Sequence, residues 1–352
     1  MSNNVDLKKI DANLSINKSI EKEGYVWREA TDAAFRLYGV YHDGKQYRRL
    51  PDDVAAMAND GIRSLATNTA GGRVRFVTDS KRVAIIAKMP RITRMPHMAF
   101  AGIFGFDMYV GNTHVKTFMP RVEIEDGYES SHTFSDSKER LITINMPLYN
   151  DVSGLLIGLD EGASVSRAPD YTYEPPVVFY GSSITQGGCA SRPGNSYEAM
   201  LSRELDFNHI NLGFSGSARG ELSVARNIDS LDMSAFVLDY DFNAPTAEHL
   251  QKTHMPFLMT VREAQPELPI IMISRPRRVP NNDEIKRKEI IRGSYLERVA
   301  AGDKNVYFID GATLMVPDGT VDGTHPTDLG FRAMADGILP VLREALALSK
   351  NQ

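Results

Sequence analysis

The chain has 352 residues, which is more than one average domain, so two domains are expected. Apolar residues make up 42% and charged residues 24%, a balance typical of soluble globular proteins. The formal net charge of -5 gives no support for nucleic-acid binding, which needs a concentrated basic face. No apolar stretch approaches the roughly 20 residues of a membrane span. The single cysteine, Cys189, excludes an internal disulfide and any multi-cysteine metal site.

The amino-terminal residues are polar and charged. Because they lack the apolar core of a secretory signal, the sequence as it stands fits a cytoplasmic protein. It fits equally well the mature part of an exported protein whose leader has been removed, so localisation stays open. Residues 1–24 are expected to form a partly ordered arm that lies on the next domain.

Residues 25–168, the β domain, are predicted to form an antiparallel β-sandwich. Arg73–Val77 alternates between polar and apolar residues, which predicts a half-buried strand, whereas the apolar run Val83–Ala87 predicts a central one. Phe106–Val110 and Val115–Phe118 flank a polar connection and predict a hairpin. The other predicted elements are strands at Arg140–Met146 and Gly154–Leu159 and one short helix at Pro51–Ala58.

Residues 169–176, within a stretch containing three prolines, are predicted to form a linker. In residues 177–352, the α/β domain, strand-like runs alternate with helical segments, which predicts a doubly wound, flavodoxin-like parallel sheet of five strands. The predicted strands are Val177–Tyr180, His209–Gly213, Ala235–Asp241, Ile270–Ser274 and Val306–Asp310. The predicted helices are Ser196–Leu205, Glu221–Asp229, Thr246–Ala264, Asp283–Ala301 and Asp328–Leu348.

The stretch Val177–Gly188 carries the first candidate catalytic group. Its apolar run ends at Gly181, two serines follow, and a helical segment begins soon afterwards. Ligands bind at the carboxyl ends of parallel strands, and a serine placed there has backbone N–H groups nearby that suit a developing negative charge. Taken alone, the stretch would equally suit an ordinary turn rich in glycine and serine.

Asp322 and His325 lie three residues apart on a glycine-containing loop before the last predicted helix. A catalytic triad needs a hydroxyl, an imidazole that takes its proton, and a carboxylate that fixes the imidazole tautomer. One loop can therefore carry both the base and its orienting group. None of the seven other histidines has a carboxylate and a loop context as suitable.

Two further strand ends offer hydrogen-bond donors. Gly216 follows the second predicted strand, and its N–H can approach a ligand with no side chain in the way. Asn243 follows the third predicted strand, and its amide can donate. Each is open to another interpretation, because Gly216 could be a plain turn glycine and Asn243 a helix-entry cap.

Taken together and in chain order, these blocks resemble the SGNH (GDSL-type) hydrolase family. The sequence has Gly-x-Ser-Ile-Thr, then a strand-end glycine, a strand-end asparagine and Asp-x-x-His. The resemblance extends from Pro175 to the carboxyl terminus, and the four blocks fall at matching strand ends.

The resemblance implies a role for each residue. Ser183 would be the nucleophile, His325 the general base and Asp322 the group that orients it. The oxyanion hole would consist of the Ser183 N–H, the Gly216 N–H and the Asn243 amide. The family needs no metal or organic cofactor, so none is expected.

The sequence departs from the family pattern in two places. Ser182 replaces the aspartate of the usual Gly-Asp-Ser, and the third block reads Asp241-Phe242-Asn243-Ala244 instead of Gly-x-Asn-Asp. The extra carboxylate of Asp241 could contact a sugar hydroxyl, brace Arg275 or Arg277, or face solvent. Arg275 is therefore a candidate substrate contact together with Asp241.

The loop after the nucleophile contains Cys189 and Arg192. Arg192 is a candidate wall of the substrate pocket. Cys189 could in principle be a nucleophile, but it has no His-Asp pair of its own, and a small packed residue is the better interpretation.

The β domain has its own recognisable motif. Gly105-Phe106-Asp107-Met108-Tyr109 resembles the Gly-x-Asp-Leu-Tyr motif of the domain that precedes a subset of SGNH hydrolases, with methionine in place of leucine. Enzymes of that type are often linked to deacylation of carbohydrates, which implies a glycan O-acetyl ester as substrate by analogy.

The sequence therefore predicts a serine esterase that cleaves small acyl esters, most readily acetyl groups on carbohydrate. Its partners would be small-molecule or glycan esters, with neither nucleic acid nor membrane, and a homo-oligomer is open. One alternative is a lipid esterase or thioesterase of the same fold. Another is a catalytically inactive glycan-binding protein, which the intact Ser183, Asp322 and His325 disfavour.

Overall fold

The computed structural model describes residue 16 and residues 19–349. Most of the predicted amino-terminal arm therefore lies outside the described residues. The part that is described contacts the β domain, because the Ile20 N–H donates to the Glu129 carboxylate and Lys22 forms a salt bridge with it.

The described residues form strands β1–β17 and helices α1–α9. The β-domain strands are β1 (Tyr25–Glu29), β2 (Arg36–Tyr38), β3 (Tyr41–His42), β4 (Tyr47–Arg48), β5 (Arg73–Thr78), β6 (Arg82–Lys88), β7 (Phe106–Val110), β8 (Thr113–Phe118), β9 (Gly127–Thr133), β10 (Arg140–Asn145), β11 (Gly154–Asp160) and β12 (Val165–Arg167). The α/β-domain strands are β13 (Tyr173–Gly181), β14 (Phe207–Gly213), β15 (Ala235–Asp239), β16 (Ile270–Ile273) and β17 (Val306–Ile309). The helices are α1 (Asp52–Ala58), α2 (Asp60–Leu65), α3 (Phe100–Phe104), α4 (Ser183–Gln186), α5 (Tyr197–Leu205), α6 (Leu222–Ile228), α7 (Ala247–Ala264), α8 (Asn282–Ala300) and α9 (Asp328–Ser349).

Apart from a small two-stranded sheet of β3 and β4, the β domain is built from two antiparallel sheets, as predicted. One has the strand order β1-β11-β6-β9, and the other has the order β12-β5-β10-β7-β8 with β2 also paired to β5. Apolar side chains of both sheets, such as Ile85 and Ile157 from the first and Phe76 and Ile144 from the second, belong to one buried cluster. The predicted hairpin is present as β7 and β8, and β6 is an inner strand as expected.

The prediction that Arg73–Val77 is half-buried is wrong. Arg73 and Arg75 on β5 are 2% and 5% exposed, although their polar side chains suggested a solvent-facing side. The α/β domain covers them, because the Arg73 guanidinium donates to the backbone oxygen of His209 on β14. Alternation along a strand shows that its two faces differ, but it does not show that the polar face meets water.

The α/β domain has a parallel sheet with the strand order β14-β13-β15-β16-β17, which is the flavodoxin-like order. Val177 and Phe179 on the inner strand β13 belong to the buried cluster shared with the β domain, whereas Val178 and Tyr180 belong to a second cluster on the other face. Alternate side chains thus enter two apolar layers, which confirms the doubly wound architecture. Each of the five predicted helices is present, with ends within two residues of those expected.

Strand β13 begins at Tyr173, within the residues predicted as a linker. Tyr173 pairs with Phe207 on β14, and the register shifts before Val177. The shift coincides with Pro175 and Pro176, which have no N–H to donate to a neighbouring strand. The proline-rich stretch therefore continues into the sheet.

Part of the β domain also packs on the far face of the α/β domain. Ala55 of α1 and Ile62 of α2 belong to the same buried cluster as Val224 of α6. Helix α2 was not predicted, and neither was strand β9, whose sequence Gly-Tyr-Glu-Ser-Ser-His-Thr is mostly polar. No helix among the described residues is long and apolar enough to span a membrane.

Candidate active site

The turn after β13 places Ser183 at the first position of the short helix α4. The Ser182 side chain caps this helix by accepting the Ile184 N–H, and Gly187 ends it with a positive φ of 97°. A Cβ on Gly181 would lie 2.0 Å from the Thr185 hydroxyl oxygen, so only glycine permits a turn this tight. Ser183 is 7% exposed at the carboxyl end of β13.

Ser183, His325 and Asp322 lie within hydrogen-bonding distance in series. The Ser183 hydroxyl oxygen is 2.9 Å from Nε2 of His325, and Nδ1 of His325 is 2.7 Å from Oδ2 of Asp322. A carboxylate only accepts hydrogen bonds, so Nδ1 carries the proton and Nε2 is left to accept from the serine. The imidazole is thus held in the tautomer that a general base requires.

The Asp322 carboxylate is held in its ionised form. Although partial burial raises its pKa, hydrogen bonds from the His325 ring and from the N–H groups of His325 and Thr324 outweigh that effect and lower the pKa to about 2. A fixed negative charge beside Nδ1 stabilises the imidazolium that forms when His325 takes a proton.

The sheet order brings the two predicted oxyanion donors to either side of Ser183. Gly216 follows β14 and Asn243 follows β15, and these strands are the two neighbours of β13. Gly216 has a φ of 66°, which favours glycine, and among the described residues its N–H has no acceptor. The Asn243 amide donates to the Phe214 oxygen at 2.9 Å, which leaves its second N–H available.

Asp241 braces arginines instead of facing solvent. It is 1% exposed, it accepts the Arg275 N–H at 3.1 Å, and its carboxylate lies 3.4 Å from Arg287. The Arg275 guanidinium lies over the Phe242 ring at 4.4 Å. Asp241 and Arg275 therefore support the turn that carries Asn243. Arg277, the other arginine that Asp241 could brace, forms no hydrogen bond or salt bridge with it among the described residues.

Arg277 contacts the other side of the site. Its guanidinium donates to the Gly323 oxygen, between Asp322 and Thr324, and to Glu284 at 3.1 Å. Glu284 also lies 3.4 Å from Arg275. One carboxylate on α8 thus links the turn of Asn243 to the loop that carries the aspartate and the histidine.

The Arg192 side chain points into the domain interface. It forms a salt bridge with Asp107 at 3.0 Å and donates to the Tyr109 hydroxyl, both within the Gly-x-Asp-Met-Tyr motif. Asp107 is fully buried and also accepts the Gly194 N–H at 2.8 Å. The motif therefore fixes the loop after the nucleophile helix, a contact that spacing in the sequence could not reveal.

Two β-domain residues near the site were not predicted. The Tyr149 hydroxyl donates to the backbone carbonyl oxygen of Ser183 at 3.1 Å, and the exposed His97 ring lies 5.5 Å from the His325 ring. Both come from loops with no local motif. A third missed residue is Gly188, where a Cβ would lie 3.2 Å from the His325 ring. The sequence feature that could have identified it is the pair Gly187-Gly188 directly after α4.

One set of potential metal ligands lies beside the catalytic pair. Donor atoms of His97, Cys189 and His325 all lie within 4.8 Å of one another, the only such group of three found among the described residues. Burial, with a smaller contribution from Asp322, raises the pKa of the Cys189 thiol to about 11, which disfavours the thiolate that would bind a metal or attack a substrate. A metal here would also occupy the imidazole that lies 2.9 Å from the Ser183 hydroxyl.

Two family models together match most of the chain. Residues 174–343 match the model of the GDSL-like lipase/acylhydrolase family, and residues 25–165 match the model of the amino-terminal GxDLY domain of SGNH-type esterases. None of the curated proteins matches the chain.

Solved structures with the same two-domain fold include three that each cover 92% of this chain. The first, described as a GDSL-like lipase from Bacteroides ovatus, is 28% identical with a TM-score of 0.83 and is covered over 98% of its length. The second, the salicylyl-acyltransferase SsfX3 from a tetracycline biosynthetic pathway, is 19% identical with a TM-score of 0.77 and 99% coverage. The third, a family two carbohydrate esterase from Cellvibrio japonicus, is 14% identical with a TM-score of 0.64 and 98% coverage.

The fold and these matches define a two-domain acyl ester hydrolase. The chain belongs to the SGNH (GDSL-type) hydrolase family, in the form with an amino-terminal GxDLY domain, and it is a carboxylic ester hydrolase.

Proposed function

We propose that this enzyme removes small acyl groups, with acetyl esters of carbohydrates as the leading substrates, and that Ser183 is its nucleophile. The observation that carries the mechanism is the series of contacts from Asp322 through His325 to the Ser183 hydroxyl, at 2.7 and 2.9 Å. Each group has the partner that its chemical role requires.

In the proposed reaction, Nε2 of His325 takes the Ser183 proton as the serine oxygen attacks the ester carbonyl. The oxyanion of the tetrahedral intermediate accepts hydrogen bonds from the N–H groups of Ser183 and Gly216 and from the Asn243 amide. As the carbon–oxygen bond to the alcohol breaks, His325 returns the proton to the leaving oxygen. Water, activated by His325, then attacks the acyl-enzyme and releases the acid.

The position of the site supports a short acyl group on a bulky polar alcohol. The side chains of His325 and Asp322 are 21% and 37% exposed, so the general base and its orienting group meet solvent, whereas the attacking Ser183 is 7% exposed. A large sugar can remain outside while its acetyl group reaches Ser183. Among the fold neighbours, a family two carbohydrate esterase and an acetyl xylan esterase from Butyrivibrio proteoclasticus have names consistent with this proposal.

The test compares hydrolysis of the p-nitrophenyl esters of acetate and octanoate, followed by acetate release from acetylated xylo-oligosaccharides. The variants are Ser183→Ala and, as a matched control on the adjacent residue, Ser182→Ala. We expect acetyl-selective turnover that Ser183→Ala abolishes. Ser182→Ala should keep most of the activity and lose about 1 kcal/mol of stability, because only a helix cap is removed.

The other outcomes point to the alternatives. A preference for octanoate would favour a lipid esterase or thioesterase. No turnover of any of these substrates by folded wild-type protein would contradict the proposal and favour a glycan-binding protein. Full activity in Ser183→Ala would show that Ser183 is not the nucleophile.

A further inference from the structure

A cavity lies between the two domains, away from the candidate catalytic residues. Its volume is about 80 Å³. A water molecule needs roughly 10–15 Å³ measured in this way, so the cavity has room for a few waters or one small ion. The side chains that matter most are contributed by β5, β14, α5 and the segment before β13, and they are Arg73, Arg75, Tyr171, Arg203 and His209.

The cavity and the catalytic site lie towards opposite ends of β14. His209 is near the amino end of this strand, whereas Gly216 follows its carboxyl end. At about 3.3 Å per residue, the strand from His209 to Gly213 separates them by roughly 13 Å. The cavity is therefore distinct from the site that binds the ester.

Arg75 is a buried cation whose charge is not balanced by a partner. It is 5% exposed, and no carboxylate among the described residues forms a salt bridge with it. Its guanidinium carbon lies over the Tyr171 ring, 3.7 Å from the ring centre, and its Nη1 has no hydrogen-bond partner. Burying such a donor without an acceptor destabilises the folded state, and more so when the group is charged.

Two further arginines add positive charge to the same walls. Arg73 is 2% exposed, and each of its hydrogen bonds goes to a neutral oxygen, of Tyr171, Gly71, His209 or Asn208. Arg203 is half-buried and lies 4.4 Å from the Tyr109 ring centre. Neither arginine forms a salt bridge with a carboxylate in the described part of the chain.

Two carboxylates lie near the arginines, and only one of them is paired with a cation elsewhere. Asp107 is bound by Arg192, Gly194 and Asn145, and Asp206, at the exposed edge of the cavity, accepts hydrogen bonds from Thr172. Thr172 is neutral, so Asp206 keeps its negative charge at the edge of the cavity, but it forms no salt bridge with any of the three arginines and is outnumbered by them.

His209 completes the lining. It is buried, and burial together with the charges of Arg73 and Arg203 holds its pKa well below the usual value, so the ring is neutral. Its Nδ1 has no hydrogen-bond partner. The cavity thus has a second unpartnered polar atom, on the opposite domain from Arg75.

We infer that this interdomain cavity binds a small oxyanion, of the phosphate or short carboxylate class. A guanidinium presents a fork of donors that matches two oxygens of such a group, and hydrogen bonds between charged partners are about twice as strong as neutral ones. The anion would satisfy Nη1 of Arg75 and balance positive charge that the single Asp206 carboxylate leaves in excess beside three arginines. Since Arg75 and His209 belong to different domains, the bound anion would also stabilise their contact.

The experiment measures binding of inorganic phosphate and of acetate by titration calorimetry and by thermal unfolding. Ionic strength is held constant with sodium chloride, because general screening and ion exclusion also change stability. We expect saturable binding of at least one of the two ions. At about 100 times the dissociation constant, the melting temperature should rise by several degrees. The ion that binds more tightly distinguishes an inorganic ligand from a carboxylate metabolite.

Variants locate the binding. Arg75→Met keeps the length and apolar character of the side chain but removes the charge, and Arg203→Met does the same at the edge of the cavity. Each should weaken binding at least tenfold. Arg292→Met, on the exposed face of α8, is the control and should leave it unchanged. If Arg75→Met does not fold, the affinity of Arg203→Met alone shows whether the ion binds in this cavity.

Two results would overturn the inference. One is the absence of saturable binding of either ion to the folded wild-type protein. The other is wild-type affinity for the ion in both folded variants, Arg75→Met and Arg203→Met, because the ion would then bind outside this cavity.

Discussion

The Gln186 side-chain oxygen accepts the backbone N–H of Ser215 at 3.0 Å. Gln186 ends the helix that begins at Ser183, and Ser215 precedes Gly216, so this bond joins the candidate nucleophile to a candidate oxyanion donor. The Gln186 amide donates to Asn68 at 3.1 Å and to the Leu148 oxygen at 3.2 Å, both in the β domain. The β domain therefore helps to position two parts of the active site through one buried side chain.

Replacing Gln186 should impair catalysis without touching a catalytic group. In Gln186→Leu the Ser215 N–H loses its acceptor, and the loop with Gly216 is free to move away from the oxyanion. Loss of one oxyanion donor costs about 10²–10³ in kcat, so partial displacement should cost about 10–100-fold. Steady-state kinetics with p-nitrophenyl acetate measure this effect, which should fall on kcat and much less on KM.

Gln265→Leu is the matched control. Gln265 also donates to two backbone oxygens, of Asp229 and Leu231, but it lies at the opposite end of the sheet. Gln265→Leu should lower the free energy of unfolding and leave kcat unchanged. Equal losses of kcat in both variants would show that the effect of Gln186 is only a general loss of stability.

Asn243 is predicted to contribute directly to the oxyanion hole. Asn243→Ala should lower kcat by about 10²–10³, because one of its amide N–H groups is available to the oxyanion while the other binds the Phe214 oxygen. A boronic acid that mimics the tetrahedral intermediate should bind more weakly by a similar factor. Asn305→Ala, which removes a donor to Glu267 at the far end of the sheet, should change neither quantity. Unchanged kcat in Asn243→Ala would leave the amide with a structural role only.

Asp322 should act through its charge, which persists into acid solution. Because its pKa is about 2, its protonation should not contribute to loss of activity above about pH 3. Asp322→Asn keeps the shape but removes the charge and the preference for the correct tautomer, and should lower kcat by about 10³–10⁴. The pH dependence of kcat/KM for both proteins measures this.

Asp318→Asn is a suitable control for that loss. Asp318 lies on the same stretch of chain, is exposed, and has a positive φ of 58° that asparagine also tolerates. It should retain wild-type activity. A similar loss in both variants would trace the effect to the loop and not to the Asp322 charge.

The sequence predicted the architecture well where local pattern determines structure. The five-stranded parallel sheet and its helices followed from alternating apolar runs and helical segments, and the strand order then brought Ser183 between Gly216 and Asn243. The three residues proposed as a triad lie within hydrogen-bonding distance of one another in the order expected. Their catalytic roles stay predictions.

The contacts between the domains could not be predicted. Arg73 and Arg49 look like surface residues in the sequence, yet both are buried, and Arg49 donates to the backbone oxygens of Asn211 and Gly213. Such contacts join residues far apart in the chain and leave no periodic signal. The same reason explains why the contact of Arg192 with the β-domain motif could not be predicted, and its place in the pocket wall stays a prediction.

A last prediction concerns stability and the buried Asp239 below the nucleophile helix. Its side chain accepts hydrogen bonds from the hydroxyls of Thr185 and Tyr197, and it is 3% exposed. Burial, more than the nearby charge of Asp241, raises the pKa of Asp239 to about 8. The group is therefore protonated in the folded enzyme at neutral pH but ionised in the unfolded chain.

The sign of the effect follows from proton uptake on folding. Because the pKa is raised in the folded state, the stabilising contribution is fully present below about pH 4 and is lost as pH rises towards 8. For one such group, the free energy of unfolding falls by at most about 1.4 kcal/mol per pH unit, which corresponds to one extra proton bound in the folded state. Asp239→Asn keeps the acceptor oxygen and has no proton to lose, so its free energy of unfolding should fall less between pH 5 and pH 8.

Urea unfolding at several pH values measures the difference between the two slopes. Some slope should remain in Asp239→Asn, because burial also raises the pKa of Glu198 to about 8. Asp53→Asn, on the exposed side of α1, should keep the wild-type slope. If Asp239→Asn and wild type have parallel pH profiles, Asp239 is ionised in the folded enzyme, and the hydroxyls of Thr185 and Tyr197 stabilise a buried charge beneath Ser183.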